Sequence, residues 1–339
     1  MRKLIIINIF FVFIFLFLAE FFSRILNLAD FTGINKDLIV RNYDSFKNRE
    51  NIETKVFGKI VYIDKYGYRV PDKNYLYKKD NSGFLILGDS TSFGVGVKEQ
   101  ETFVGRLRSD YPSSNFFNTS VIGYSLSNYN KVLKNKLNDN YKIKHVILFL
   151  NINDVDFESN IFQDGNTKEL SINNDNFTFI NWMKNNYIFN NLHYYLRERS
   201  IFYMWIKGLF TKTQERFYSH VYNLYHNKNN ITKLNFEIKN IKKNMQIYNG
   251  NLIVIILPYE FQTRRNYCNE NYLFPQNILK KILLKNSIKF YDYTSEFCNQ
   301  KNAKNFFLKF DPVHLSQNGH DFVYKLLKKD LSFLFTNKI

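Results

Sequence analysis

The sequence predicts an α/β protein built on a central parallel sheet of about five strands, and three observations lead there. Residues 145–150 (HVILFL) and 251–257 (NLIVIIL) are runs of apolar residues rather than alternating patterns, as in strands buried on both faces. A third run, 84–87 (FLIL), leads straight into Gly-Asp-Ser. Stretches with helical spacing lie between the strands, which implies right-handed crossovers and a three-layer arrangement with helices on both faces of the sheet. At 339 residues the chain is long enough for a sizeable core.

Residues 1–28 stand apart from the rest. Arg2 and Lys3 precede residues 4–19, which are apolar except for Asn8, and the apolar character resumes after Glu20. The run is longer than the core of a usual signal peptide, and the nearest cleavage candidate, Leu18-Ala19-Glu20, is poor. Extended to Leu28, it spans a bilayer as a helix. We read it as an uncleaved anchor in preference to a cleaved signal, with a buried soluble helix as the third reading. Arg2 and Lys3 then keep the N-terminus cytoplasmic, and the remainder lies on the extracytoplasmic, periplasmic side of a bacterial inner membrane.

Residues 29–80 form a polar, mixed lead-in. Its one notable patch, 61–71 (VYIDKYGYRVP), sets aromatics around a glycine and ends on proline, which predicts a hairpin or turn packed on the domain edge and carrying no chemistry by itself.

The main domain, 81–335, follows a repeating rhythm. Strand 84–87 is followed by a helix at 101–109 (ETFVGRLRS), a short strand at 116–118 and a helical stretch at 126–137. Strand 145–150 comes next, then strand 251–257 ended by Pro258, a short strand at 288–291 and a closing helix at 317–327. The rhythm is lost between 156 and about 250. There, 187–199 and 201–210 read as aromatic amphipathic helices, and 235–249 as the helical crossover into the strand at 251. Residues 156–234 are therefore expected to form a helical insertion over one face of the sheet. Trp182, Tyr194, Tyr195 and Trp205 either line a lid or substrate groove, form the core of the helical pack itself, or rest on the membrane.

Composition narrows the partners. There are 47 Lys and Arg against 30 Asp and Glu, a net charge of +17. The lysines are scattered with no long basic run, which speaks against nucleic-acid binding and is compatible with an anionic membrane surface nearby. The two cysteines, Cys268 and Cys298, fall in turn-like stretches with no metal-ligand spacing around them. Export favours one disulfide between them over two free thiols.

Four stretches carry chemistry. Ser90, in 84–97 (FLILGDSTSFGVGV), sits just past a strand's carboxyl end, where ligands bind in open α/β sheets. It is a nucleophile if a base lies within reach, and a capping serine otherwise. Gly123, in 118–125 (NTSVIGYS), lies in a loop after a strand, where its N–H can face the same cleft. Asn153, in 151–154 (NIND), follows HVILFL and can offer its amide to a developing negative charge. Asp311 and His314, in 310–319 (FDPVHLSQNG), are three apart, a spacing that lets a carboxylate hold one imidazole nitrogen while the other faces a serine.

Together these stretches resemble the SGNH hydrolases, also called GDSL esterases and lipases, named for their Ser, Gly, Asn and His. Ser90 stands in Gly-Asp-Ser, Gly123 in the second block, Asn153 in the third, and Asp311 and His314 in the last, with 315–320 also family-like. The third block usually begins with Gly, where this chain has Asn151. Tyr66-Gly67-Tyr68-Arg69, the Gly-rich loop after Ser90 and Glu101-Thr102-Phe103 look like a membrane-attached bacterial branch. The resemblance, over about 84–330, implies a flavodoxin-like fold and a serine esterase without metal or organic cofactor. It assigns catalysis to Ser90, Asp311 and His314, and the oxyanion hole to the N–H groups of Ser90 and Gly123 and the amide of Asn153. The implied substrate is an acylated glycan or a lipid ester. Polysaccharide-modification proteins are possible partners, and an idle glycan-binding or assembly protein is the alternative class.

Overall fold

The computed structural model describes residues 2–42, 45–78, 83–138, 143–157, 186–247 and 249–336. Helix α1 (Arg2–Ile25) opens the chain with its apolar side chains turned outward along most of its length, and Lys3–Ile25 is long and apolar enough to cross a membrane.

The lead-in is more than a hairpin at the edge. Strands β1 (Ile39–Asn42) and β2 (Ser45–Asn48) pair antiparallel, and β3 (Ile52–Val56), β4 (Lys59–Ile63) and β5 (Arg69–Val70) form a second antiparallel sheet. Val56, Val61 and Ile63 point inward and meet Phe93 and Val95, in the loop just after Ser90. The period-2 pattern that makes these strands also makes an apolar face that must be covered, and the Ser90 loop covers it.

The core begins with β6 (Gly83–Leu87), α2 (Ser90–Phe93), α3 (Phe103–Asp110), β7 (Asn115–Asn118), α4 (Leu126–Asn138) and β8 (Ile143–Asn151). Four helices follow, α5 (Tyr187–Arg199), α6 (Ile201–Phe210), α7 (Thr213–Leu224) and α8 (Lys228–Ile247). The core closes with β9 (Asn251–Leu257), α9 (Phe274–Lys285), β10 (Lys289–Asp292), α10 (Thr294–Cys298) and α11 (Gln317–Thr336). The sheet runs β10-β9-β8-β6-β7 with every pair parallel. In order of appearance this is the flavodoxin-like 2-1-3-4-5. The order reverses between β6 and β8, and the crevice outside their carboxyl ends is where such sheets bind ligands.

Alternate side chains serve the two faces. Leu85, Leu148 and Val254 pack against α4, α8 and α9, whereas Phe84, Ile147 and Ile253 pack against α3 and α11. Helix α8 begins at Lys228 rather than 235, and α11 continues to Thr336 rather than 327. Helices α7 and α9 are additional to the elements read from the sequence; Pro275 starts α9, and lysines interrupt its apolar stripe of Leu279, Ile282 and Leu283. Cys268 and Cys298 are joined in a disulfide with their Cα atoms 6.0 Å apart, tying the segment before α9 to α10. Trp182 and most of the first part of the expected insertion lie outside the described residues.

Candidate active site

Ser90 is the first residue of α2, directly beyond β6. Asp89 caps this one-turn helix, its Oδ1 accepting from Thr91 N at 2.9 Å. A Cβ at Gly88 would meet Ser92 Oγ at 1.9 Å, so the strand-to-helix turn closes this tightly only on glycine. Gly94 ends the helix in the left-handed conformation, φ 85°.

His314 approaches Ser90 from the loop before α11. Its Nε2 lies 2.8 Å from Ser90 Oγ and its Nδ1 2.7 Å from Asp311 Oδ2. The three-residue spacing works because Asp311 Oδ1 accepts the backbone N–H groups of Val313 and His314, at 2.9 and 2.8 Å. That turn leaves Oδ2 for the imidazole. Phe57, between β3 and β4, meets the His314 ring edge-on, with centroids 5.2 Å apart at 86°. Burial disfavours the imidazolium, but the charge of Asp311, its hydrogen bond and the charge of Asp89 outweigh it, so the His314 pKa is raised above its ordinary value. For Asp311 burial pushes upward, and His314 together with the two backbone N–H groups carries the carboxyl below its ordinary range.

Gly123 follows β7 at φ 83°, a left-handed position that favours glycine. Its loop is stitched to the end of β6 by Thr119 N to Ile86 O (3.1 Å) and Val121 N to Gly88 O (3.3 Å). Asn153 lies in the 3₁₀ turn Ile152–Val155 after β8, and its Nδ2 points at Asp89 Oδ2 from 3.5 Å. The structure thus gathers Ser90, Asn153 and His314 at the switch point, with the Gly123 loop alongside. Of the aromatics read as a groove, Trp205 packs near Phe310 and Ala29, and Tyr195 lies exposed beneath Arg199.

Asn151, where the family pattern has Gly, adopts φ −95° and ψ 157°, an extended conformation open to any residue. Its Nδ2 donates to Asp89 Oδ1 at 2.8 Å and Thr91 Oγ1 at 3.0 Å, so it ties the third block to the first. Asp154 holds the same turn from below, accepting from Asn151 N at 2.8 Å and Tyr129 Oη at 2.7 Å.

Arg69, which the sequence offers only as part of the Tyr66-Gly67-Tyr68-Arg69 string with no role, braces the nucleophile loop. It is fully buried, 0 % exposed, and donates to the carbonyls of Phe93, Gly94 (2.5 Å) and Val97 (2.6 Å), with its guanidinium over the Phe93 ring. Burial lowers its pKa to about 10, Glu99 opposing and Arg108 adding to the shift, so it stays charged at neutral pH. Arg108 ion-pairs with the buried Glu99 and donates to Arg69 O at 3.0 Å. The signal in the sequence is its place in the Tyr66-Gly67-Tyr68-Arg69 string, and nothing local says which carbonyls it reaches.

A parallel sheet in 2-1-3-4-5 order, with Ser90 and His314 hydrogen-bonded and Asn153 nearby at its switch point, agrees with the fold expected from the resemblance of the four sequence blocks to the SGNH hydrolases. No family model matches the chain, and no curated protein does. Solved structures do match. TesA is 10 % identical with a TM-score of 0.44, over 75 % of this chain and 99 % of that one. The lipase/acylhydrolase from Enterococcus faecalis is 12 % identical with a TM-score of 0.43, over 74 % and 96 %. A catalytic mutant of Axe2, an acetylxylan esterase from Geobacillus stearothermophilus, is 14 % identical with a TM-score of 0.42, over 77 % and 100 %. These are likenesses and carry no further argument.

Proposed function

We propose that this chain is an SGNH-type serine esterase held at a membrane by α1. The observation that carries this reading is the continuous hydrogen-bonded chain from Ser90 Oγ through His314 to Asp311. His314 Nε2 takes the Ser90 proton as Oγ attacks an ester carbonyl, and Asp311 holds the tautomer and balances the imidazolium. The N–H groups of Ser90 and Gly123 and the amide of Asn153 receive the oxyanion. Asp89 orients that amide through one N–H and leaves the other for the substrate. His314 returns the proton to the leaving alcohol. Water, or a sugar hydroxyl in a transferase, then resolves the acyl-enzyme. The test is a fluorophosphonate probe on the full-length protein. One phosphonyl group on Ser90, located by mass spectrometry, supports the reading; a folded protein left unlabelled rejects it.

The substrate we favour is a small acyl group, such as acetyl, on an envelope polysaccharide, removed or transferred. An anchored domain on the extracytoplasmic side meets such esters, and acetylxylan esterases stand among the structures it is similar to. A lipid ester is the second reading, favoured by the exposed aromatic and aliphatic side chains of α5 and α6. Activity on acetyl against long-chain p-nitrophenyl esters separates the two.

Two further results are expected. Asn153→Ala loses one oxyanion donor and about 10²–10³ in kcat. Its melting temperature should hardly move, because among the described residues the side chain's hydrogen bonding is the long 3.5 Å contact to Asp89. Near-wild-type turnover rejects the role. The second is a pH profile. The imidazole must be neutral to accept the Ser90 proton, so kcat/KM falls as pH falls through the His314 pKa. With that pKa raised, the acid limb should lie above the value of an ordinary histidine, about 6.5. Asp311→Asn removes the leading cause of the rise and should move the limb to lower pH while cutting kcat about 10⁴-fold. A limb unmoved by that substitution argues against the coupling.

A further inference from the structure

Helix α6 takes no part in the chemistry above, yet it is bound to the membrane helix. Glu20 of α1 accepts from Ser200 Oγ at 2.7 Å, from Ile201 N at 3.0 Å and from Phe202 N at 3.0 Å. Arg24 pairs with the same carboxylate at 2.7 Å and donates to Arg199 O at 2.5 Å. A hydrocarbon layer of about 30 Å takes about 20 residues of helix. Counted from Leu4, that layer ends near Ser23. Glu20 therefore stands at the outer hydrocarbon boundary, and three hydrogen bonds hold the first turn of α6 at the same depth. A carboxylate is tolerable there because it is paired and its hydrogen bonds are made.

The surface around this junction suits a bilayer. Leu209 and Phe210 on α6 are 56 % and 83 % exposed, and α5 adds exposed Phe189, Leu192 and Tyr195. Residues 186–216 carry five Arg and Lys against two Glu, a balance that suits anionic headgroups. Helix α1, to which α6 is bonded, exposes its apolar side chains likewise.

We propose that α5 and α6 are seated in the membrane–water interface beside α1, as a second, peripheral membrane contact that holds the Ser90 cleft close to the bilayer surface. The far end of α6 carries the link to the cleft. Gly208 packs so closely against Phe310 that a Cβ there would lie 2.3 Å from the ring. Phe310 precedes Asp311, and Lys309 bonds Asp30 Oδ2 through its N–H (2.7 Å) and Asn27 O through its Nζ. Gly208 is about 10 Å along the helix from Ile201. The loop bearing Asp311 and His314 is thus held within about one short helix of the Glu20 junction. An ester carried by a molecule lying in or on the membrane is the substrate such a cleft meets first.

The proposal rests on the anchor reading of α1 and not on the esterase reading. Its test uses the full-length protein in vesicles of phosphatidylcholine with one quarter phosphatidylglycerol. Nitroxide labels are placed on single introduced cysteines by Leu209→Cys, Phe210→Cys, Phe13→Cys and Leu76→Cys; the native pair is disulfide-bonded and leaves no other thiol. Leu76 is 83 % exposed and lies near Lys78, which bonds Asn115 at the start of β7, at the end of the sheet away from the cleft. Collision rates with oxygen and with a water-soluble nickel complex report depth. The labels at 209 and 210 should collide mainly with oxygen and be shielded from nickel at least several-fold relative to 76, with 13 deeper still. Labels at 209 and 210 as open to nickel as 76, with 13 shielded, overturn the proposal and leave the anchor standing. A label at 13 open to nickel overturns both.

Discussion

Ser90→Ala is expected to lower the hydrolysis of p-nitrophenyl acetate by about 10⁴-fold or more in kcat, to what binding and the oxyanion donors supply alone. The hydroxyl is the group that His314 Nε2 meets, at 2.8 Å, among the described residues. The protein should melt at its usual temperature, because the substitution removes one hydrogen bond at the mouth of the sheet and no packing. Adding His314→Ala to Ser90→Ala should cost little more, since residues that act as one unit are not additive. Initial rates on the two variants decide the matter. A Ser90→Ala protein that keeps a tenth of the activity has no covalent mechanism at this serine.

Arg69→Met should be the most destabilising single change in the lead-in, by about 3 kcal/mol or more, because hydrogen bonds from a charged donor are each worth about 1.5–3 kcal/mol and three buried carbonyls lose theirs. The same change should lower kcat by roughly 10-fold to 100-fold in molecules that remain folded, since a misplacement of about 1 Å is enough for such a loss. The carbonyls of Phe93, Gly94 and Val97 belong to the loop that ends α2, and α2 begins at Ser90. Arg69→Lys is the control. One ammonium cannot reproduce the planar fork that serves three carbonyls, so it should recover part of the stability and less of the rate. Urea melts alongside initial rates test both effects, and an unchanged midpoint in Arg69→Met removes the clamp from the account.

The readable parts of the chain are those whose chemistry is local. The strands at 84–87, 145–150 and 251–257 show as apolar runs because burial on both faces leaves no polar side chain to interrupt them. Helices α5 and α6 were legible to the residue, since their spacing and the Ser200 cap are properties of a single helix. The turn from Asp311 to His314 is equally local, because one carboxylate binds the next N–H groups and the imidazole at once. Helix α9 was harder, because its lysines break the apolar stripe and only packing against the sheet completes it. The lead-in was harder still. Its short strands have faces that mean nothing until they meet Phe93 and Val95.

By itself, then, the sequence determined the parallel α/β core, the apolar N-terminal helix, and the short strings that hold Ser90, Gly123, Asn153, Asp311 and His314, since each depends on neighbours a few residues away. Only the tertiary structure decided what those strings do to one another. It brings Ser90 to His314 across more than two hundred residues, locks Asn151 onto Asp89, sets Arg69 beneath the nucleophile loop and fastens α6 to Glu20. Such contacts follow from sheet order and buried hydrogen bonding between distant segments, and neither leaves a local pattern in the chain.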